Sequence, residues 1–171
     1  DCQLTLPRDA EVGIEAFRFV TTGGVSGLKM IMVDDLPTIA QAASNHSLGD
    51  AQQITLPVAI DGACTALQSD YYALTGRVGQ RLTVEVGAQR LGFALDSVLR
   101  LLDAEGNELA RSDDEPGIGG DSRLSHEITA DGVCYLELRD VSHQGGDNFQ
   151  YRLRVGRFPL ATVVYPMGGQ V

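Results

Sequence analysis

Segments in which hydrophobic and polar residues alternate recur from residue 54 onward, and turns rich in Gly and Asp separate them. Alternation with a period of two places successive side chains on opposite faces of an extended strand. The pattern predicts eight short strands, at residues 54–60, 71–75, 81–86, 97–102, 108–111, 123–128, 133–139 and 149–155. Because no segment of useful length has helical periodicity, the sequence indicates an all-β fold, a jelly-roll-like antiparallel β-sandwich over residues 51–158.

Two further alternating segments lie near the N-terminus, at residues 15–22 and 28–33, with a Gly-rich turn between them. They predict a strand pair within residues 1–36 that packs on something else, since two strands alone are marginally stable in water. Residues 37–50 are predicted to form a linker, because the polar run 44–47 and Gly49 interrupt any helical turn. Residues 159–171 are interpreted as the start of a following module.

The charge balance argues against two classes of partner. The chain has 23 acidic residues against 13 Lys and Arg, which gives a formal net charge of -10. Binding to phosphates requires clustered Lys and Arg, so we expect no nucleic acid and no anionic membrane as partners. No apolar run is long enough to cross a bilayer, and membrane insertion is therefore not expected.

The sequence carries no pattern typical of an enzyme. Neither a Gly-x-Ser-x-Gly elbow nor a His-Glu-x-x-His motif occurs. Ser125, His126 and Glu127 follow one another on a predicted strand, where neighbours point to opposite faces, so they cannot form a triad by themselves. We interpret the histidines as surface residues and predict that the chain is not an enzyme.

One Gly-rich loop is a candidate metal site, with Asp113, Asp114, Glu115 and Asp121 close together in sequence. Calcium prefers six to eight oxygen ligands, and a bound cation would relieve the repulsion between adjacent acids. The alternative interpretation is a solvated polar loop between strands. Calcium is the one cofactor that the sequence brings into consideration.

Three cysteines occur without any Cys-x-x-Cys spacing, which argues against zinc-ribbon, thioredoxin-like and haem sites. Cys134 has the strand parity of Leu136 and Leu138, and Cys64 that of Ile60, so both are expected to face inward. They form either a disulfide, as in an oxidising compartment, or two buried free thiols. Both interpretations stay open, and Cys2 is then the odd thiol.

Surface tyrosines and arginines are candidates for ligand binding. Tyr71 and Tyr72 are adjacent, so one of them should face outward, and Tyr135 lies on the parity opposite to Cys134. Exposed tyrosines suit a polysaccharide or an extracellular protein, although they also occur at sandwich edges with a wet hydroxyl. The basic stripe of Arg152, Arg154 and Arg157 either docks a partner or neutralises nearby acids.

The order of strands and turns resembles the bacterial pre-peptidase C-terminal (PPC) domain, a β-sandwich module appended to secreted proteins. The residues that carry the resemblance are the Asp-Tyr-Tyr at 70–72, the strands around 78–86 and 96–110, the Ala-Asp-Gly-Val-Cys-Tyr at 130–135, and the Asn-Phe-Gln-Tyr-Arg-Leu-Arg-Val at 148–155. Residues 7–26 resemble the closing strands of an immunoglobulin-like domain, and the Pro-x-Gly-Gly at 166–169 resembles the opening of another.

This resemblance implies a non-catalytic accessory module of a secreted, periplasmic or cell-surface bacterial protein. Its role would be spacing, folding support or adhesion, with neighbouring domains of a longer chain as partners. The alternative is a module that binds carbohydrate or a matrix protein, with or without calcium.

The resemblance also implies a second calcium site. Calcium-binding PPC domains carry an acidic linker and an Asp-x-Asp before the Tyr-Tyr strand. Here the linker reads Gln-Ala-Ala-Ser-Asn-His at 41–46 and the second element reads Gln-Ser-Asp at 68–70. Only Asn45 and Asp70 keep the ligand types. Since calcium affinity depends on the number of charged ligands, we expect this site to be absent or weak.

Overall fold

Strands account for nearly all the regular structure of residues 4–114 and 117–160, which the computed structural model describes. Two short 3-10 helices, Leu48–Asp50 and Gln89–Leu91, interrupt them. No helix in these ranges is long and apolar enough to span a bilayer. The strands are β1 (Gly13–Phe17), β2 (Val20–Thr21), β3 (Gly24–Val25), β4 (Lys29–Val33), β5 (Thr38–Ala40), β6 (Gln52–Gln53), β7 (Val58–Ala63), β8 (Asp70–Gly76), β9 (Arg81–Gly87), β10 (Ser97–Leu102), β11 (Glu108–Asp113), β12 (Arg123–Glu127), β13 (Gly132–Asp140) and β14 (Gln150–Gly156).

Ten of these strands form two five-stranded sheets, in the orders β11-β10-β13-β8-β6 and β12-β9-β14-β7-β5. Neighbouring strands are antiparallel, except that β5 runs parallel to β7 and β6 runs parallel to β8. The two sheets pack face to face as a sandwich. The predicted all-β, jelly-roll-like sandwich with flanking strands is therefore confirmed, with a parallel edge strand on each sheet.

The inward-facing residues of both sheets form one hydrophobic core. The inward-facing residues include Leu136 and Leu138 on β13, and Leu153 and Val155 on β14. In each pair one residue lies between the two, as the alternation predicts. Burial of one such aliphatic side chain contributes about 1.5–3 kcal/mol. The completely buried side chains of the core include Leu74, Leu82, Val84, Val86, Leu99 and Leu101.

The first predicted strand, at residues 54–60, differs from the structure. The chain changes sheets here: β6 belongs to one sheet and β7 to the other. Ile54 N–H donates to Ala73 O at 2.9 Å, and this is the last backbone bond that continues the β6 pairing. Pro57 has no N–H with which to extend a ladder. The alternation predicted a single strand because Ile54 and Val58, on either side of the crossing, are both buried in the same core.

The N-terminal strands form a hairpin, as predicted. β1 pairs antiparallel with β4 from Gly13↔Val33 to Phe17↔Lys29, and β2–β3 extends it. The rings of Phe17 and Phe19 meet edge to face with centroids 5.3 Å apart. That these strands belong to an immunoglobulin-like domain stays a prediction.

The module start predicted at residues 159–171 lies largely outside the described residues, and Cys2 lies outside them entirely.

The segment predicted as a linker is fixed to the sandwich. β5 pairs with β7 in the register Thr38↔Ala59 to Ala40↔Asp61. Asn45 is completely buried. The Gln52 carboxamide bonds to both Ala40 O and Ala42 N–H, which holds this segment against β6. Residues 38–53 therefore supply the last strand of each sheet.

Candidate functional site

A buried carboxylate, Asp70, forms the centre of the polar cluster that the sequence pointed to. Asp70 opens β8, and its side chain is 1% exposed. The Tyr151 hydroxyl donates to Oδ2 at 2.8 Å, and His46 Nδ1 lies 3.1 Å from Oδ1. Burial raises the pKa of Asp70, and the Tyr151 hydrogen bond and the nearby His46 only partly offset this effect.

Tyr72 and Tyr151 join the two sheets through their hydroxyl groups, which are in direct contact. Tyr72 lies on β8 and Tyr151 on β14, so the contact crosses the sandwich. Burial raises the pKa of both phenols, so both remain protonated. Since the Tyr151 proton is donated to Asp70, the Tyr72 hydroxyl donates to Tyr151. The result is a chain of hydrogen bonds from Tyr72 to Asp70.

Asn45 ties the preceding segment to this cluster. Its amide Nδ2 donates to Tyr71 O at 3.3 Å, and its backbone oxygen accepts from Tyr71 N–H at 2.7 Å. Its Oδ1 accepts from Gln41 Nε2 at 3.2 Å, and Gln41 Oε1 in turn accepts from Ala63 N–H at 2.9 Å. The side chains of Gln41 and Asn45 thus bridge β7 and β8.

The residues around Asp70 do not fit a calcium ion. The structure brings Asn45 and Asp70 together, as the resemblance implied. Asp70, however, is the one carboxylate of this cluster among the described residues, and its neighbours are His46 and Tyr151. Asp70 Oδ2 accepts from Tyr151, whereas Oδ1 lies 3.1 Å from His46 Nδ1 without hydrogen-bond geometry, and Asn45 Oδ1 accepts from Gln41. Calcium needs six to eight oxygens and gains affinity from charged ones. Across residues 4–114 and 117–160, no group of three or more His, Cys, Asp or Glu side chains is arranged to hold a metal ion.

The acids of the Gly-rich loop have separate partners. Asp121 is completely buried and accepts from the N–H groups of Ala88 and Gln89, at 3.0 and 2.7 Å, and from Arg90 Nε at 2.7 Å. It therefore fixes the start of the 3-10 helix Gln89–Leu91. Asp113 pairs with Arg111 at 2.6 Å, and Asp114 has a positive φ of 45°. Glu115 lies outside the described residues.

Both candidate cysteines are free and buried. Cys64 follows β7 and donates its N–H to Phe149 O at 3.0 Å, and burial raises the pKa of its thiol, reinforced by Asp70 and Asp140. Cys134 lies on β13, in the other sheet, where it pairs in register with Leu74 of β8. The Cys64–Cys134 disulfide, one of the two interpretations of the sequence, is therefore not formed. The alternative of two buried thiols describes the structure.

The basic stripe on β14 is neutralised by acids of the same chain. Arg152 and Arg154 both contact Asp34, at 3.1 and 3.0 Å between Nε and Oδ2. Arg154 also donates to Glu85 Oε2 at 2.9 Å. Glu85 is buried, which tends to raise its pKa, but Arg90, Arg123 and Arg154 together hold that pKa below its ordinary value. Arg157 has no such partner among the described residues.

Tyr72 faces inward and Tyr71 outward, as their adjacency requires. Tyr72 is completely buried, whereas Tyr71 and Tyr135 are half-buried on the outer face of the same sheet.

The partners of Asp70 were not predicted from the sequence. Tyr151 was detectable as an inward position of β14, on the parity of Leu153 and Val155, but its bond to Asp70 depends on the packing of two sheets.

No protein-family model matches the chain. Over 70 residues the chain is 39% identical to a protein of Deinococcus radiodurans named "Probable subtilase-type serine protease"; the match covers 40% of this chain and 9% of that protein. The chain thus spans less than a tenth of the length of this relative.

The solved structures that are similar to the chain include the following two. One is the pre-peptidase C-terminal domain of a collagenase from Bacillus anthracis, with a TM-score of 0.48 and 18% identity over 61% of this chain and 93% of that one. The other is PliG from Aeromonas hydrophila, a periplasmic inhibitor of g-type lysozyme, with a TM-score of 0.46 and 16% identity over 72% of this chain and 98% of that one. The domain type that the sequence resembles is therefore among the structures similar to it.

Proposed function

We propose that this chain is a non-catalytic accessory β-sandwich module of a secreted or cell-surface bacterial protein, with a role in spacing, folding support or adhesion. The observation that carries the proposal is the closed polar cluster between the sheets. Asp70, Tyr72 and Tyr151 are buried and bonded to one another. A catalytic acid or base has to reach a substrate, whereas these groups fasten one sheet to the other.

The similarity to the Deinococcus relative supports a modular context. The matched segment is a small part, 9%, of a protein named as a serine protease. A segment of this kind, attached to a protease, suits an accessory role outside the cell. The PPC-like order of strands supports the same interpretation.

We infer in addition that the module folds without calcium. His46 and the Tyr151 hydroxyl contact the two oxygens of Asp70. These contacts supply internally the compensation that a cation would provide to a buried carboxylate. The hydrogen bonds of Asn45 and Gln41 then hold residues 38–53 on the sandwich.

The test is an assay of the purified chain on peptide, ester and glycoside substrates, together with its equilibrium unfolding. We expect a cooperative unfolding transition and no turnover. Turnover that survives purification, and that is lost in His46→Ala or Asp70→Asn while the variant stays folded, would contradict the accessory role. Retention on insoluble polysaccharide or collagen would select adhesion among the three roles, and absence of retention would favour spacing or folding support.

A further inference from the structure

A cavity of about 660 Å³ lies at the end of the sandwich where the chain crosses between sheets. Two arginines line it, Arg77 after β8 and Arg157 after β14, and both are exposed. The apolar part of the wall includes Leu56 and Val78, and Val78 is 62% exposed. The cavity therefore combines positive charge with an aliphatic surface, and it is remote in sequence from the acids of the Gly-rich loop.

These two arginines differ from the others of the sandwich. Most sandwich arginines contact a carboxylate, and Arg139 donates to the carbonyls of Asp140 and Val141. Within residues 4–114 and 117–160, neither Arg77 nor Arg157 has a carboxylate within 4.0 Å of its guanidinium group. The arginines that form ion pairs are Arg81, Arg90, Arg100, Arg111, Arg123, Arg152 and Arg154.

A chain with a net charge of -10 has many acids that could neutralise a cation. Within the described part of the chain, however, Arg77 and Arg157 line one cavity and neither forms an ion pair with an acid. Two guanidinium groups on one cavity repel each other, and an anion between them would remove this repulsion. Guanidinium groups bind carboxylates through paired, charge-assisted hydrogen bonds. A carboxylate is therefore a chemically suitable ligand for these two arginines.

The neighbouring polar groups fit the same ligand. Gln80 Oε1 accepts from Arg77 N–H at 3.2 Å, which leaves the Gln80 amide nitrogen free to donate into the cavity. The hydroxyls of Thr55 and Thr75 also line it. The nearby Asp131 is bound to the backbone of this wall, since its Oδ1 accepts from Val78 N–H at 2.7 Å, and it forms no ion pair with either arginine. The wall therefore offers side-chain donors from Gln80, Thr55 and Thr75 in addition to the two guanidinium groups.

We propose that this cavity binds an acidic peptide segment, in which a Glu or Asp carboxylate contacts Arg77 and Arg157 and an adjacent aliphatic side chain packs on Leu56 and Val78. A peptide is favoured over an acidic sugar because, among the residues that the structure describes, no aromatic side chain lines the cavity to stack on a sugar ring. This inference goes beyond the accessory role, because it gives the module a ligand class and a contact surface.

The test uses nuclear magnetic resonance of the ¹⁵N-labelled intact chain, titrated with the blocked peptide Ac-Leu-Glu-Leu-Glu-NH₂. The amides of Thr55, Thr75, Val78 and Gln80 are expected to shift, and added salt should weaken the binding. The amide analogue Ac-Leu-Gln-Leu-Gln-NH₂ should not bind. Arg77→Gln and Arg157→Gln should each weaken the affinity about tenfold.

Arg18→Gln is the matched control, because Arg18 is also exposed and has no acid within ion-pair distance among the described residues, but lies outside the cavity. It should leave the affinity unchanged, and the spectra of all variants report whether they fold. Lack of any shift up to about 10 mM peptide would overturn the proposal. The same peptide affinity for Arg77→Gln, Arg157→Gln and Arg18→Gln would also overturn it. So would amide shifts with inorganic sulfate as large as those with the peptide, or tighter binding of trigalacturonate than of the peptide.

Discussion

Asp34 Oδ2 accepts a hydrogen bond from Arg154 Nε at 3.0 Å, which joins the end of the N-terminal hairpin to the central part of a sandwich strand. The Asp34 side chain is 1% exposed, and Arg152 Nε lies 3.1 Å from the same oxygen. One carboxylate thus compensates two guanidinium groups that are themselves mostly buried. The hairpin is therefore held by a specific ionic contact as well as by apolar packing.

Asp34→Asn should loosen this attachment. Removal of one member of a buried ion pair leaves charges uncompensated and costs about 3 kcal/mol. We expect a lower free energy of unfolding in urea and faster proteolysis within residues 13–33. Asp35→Asn is the control, since Asp35 is exposed and forms no ion pair within the described residues. Equal stability of the two variants would show that the hairpin is held by packing alone.

Tyr151→Phe should destabilise the protein more than Tyr72→Phe. The first change removes the donor to Asp70 and leaves a buried carboxylate oxygen without its hydrogen bond, at a cost of about 1–3 kcal/mol. The second change removes a donor to Tyr151, but Tyr151 still donates to Asp70. Denaturant unfolding of both variants measures the difference. The reverse order of stabilities would mean that the hydrogen-bond chain runs in the opposite direction.

Gly62→Ala should be destabilising for a steric reason. A Cβ atom at this position would lie 2.6 Å from the Tyr151 hydroxyl oxygen and 2.6 Å from Gln41 Oε1. Overpacking of this kind costs about 1–3 kcal/mol. Gly13→Ala is the matched strand control, because a Cβ there meets nothing within 4 Å. Thermal unfolding of the two variants should separate them clearly.

The stability contributed by Glu85 should depend on pH. Burial tends to raise the pKa of Glu85, but Arg90, Arg123 and Arg154 outweigh it and hold the pKa below its ordinary value of 4.5. A group whose pKa is lowered on folding contributes stability that is complete above its unfolded pKa and is lost as the pH falls through its folded pKa. Glu85→Gln should therefore cost about 3 kcal/mol at neutral pH and progressively less below pH 4.5.

Urea unfolding of the wild type and Glu85→Gln between pH 7 and pH 3 measures this effect. Glu127→Gln is the control, because Glu127 is 63% exposed and lies 3.9 Å from its arginine. A stability difference for Glu85→Gln that stays constant across this pH range would show that the carboxylate is not stabilised by its arginines.

Calcium should leave the melting temperature unchanged relative to a chelator. A ligand that binds only the folded state raises the melting temperature by mass action, and both oxygens of Asp70 already contact the protein. A rise with calcium that a chelator reverses would contradict the inferred independence. Asp70→Asn and Asp113→Asn would then tell which of the two candidate sites binds the ion.

Much of the fold could be predicted because single strands that bury one face carry a clear alternation. Ser97–Leu102 was predicted to the residue, and the other sandwich strands after it differ by one or two residues at their ends. The alternation reports which residues face the core, but not which sheet they belong to. For this reason residues 54–60 were predicted as one strand although Pro57 separates β6 from β7.

The candidate site was less predictable. Asn45 and Asp70 were singled out and do lie together, but His46 and Tyr151 become their neighbours only when both sheets pack. Asp121 was a candidate metal ligand because of its neighbours in sequence, with a solvated polar loop as the alternative, whereas its Oδ1 accepts from the N–H groups of Ala88 and Gln89. A carboxylate in a loop has several possible partners, and local sequence does not say which one the fold supplies.

The change of sheet between β6 and β7 has a consequence for the edges of the two sheets. Without β5 and β6, the strands β7 and β8 would present unpaired backbone groups on the same flank of the sandwich. Open strand edges invite pairing with another chain. β5 and β6 have only three and two residues, so the edges that they leave open are short. A shortened chain that begins at residue 54 is therefore expected to aggregate or to exchange strands between copies.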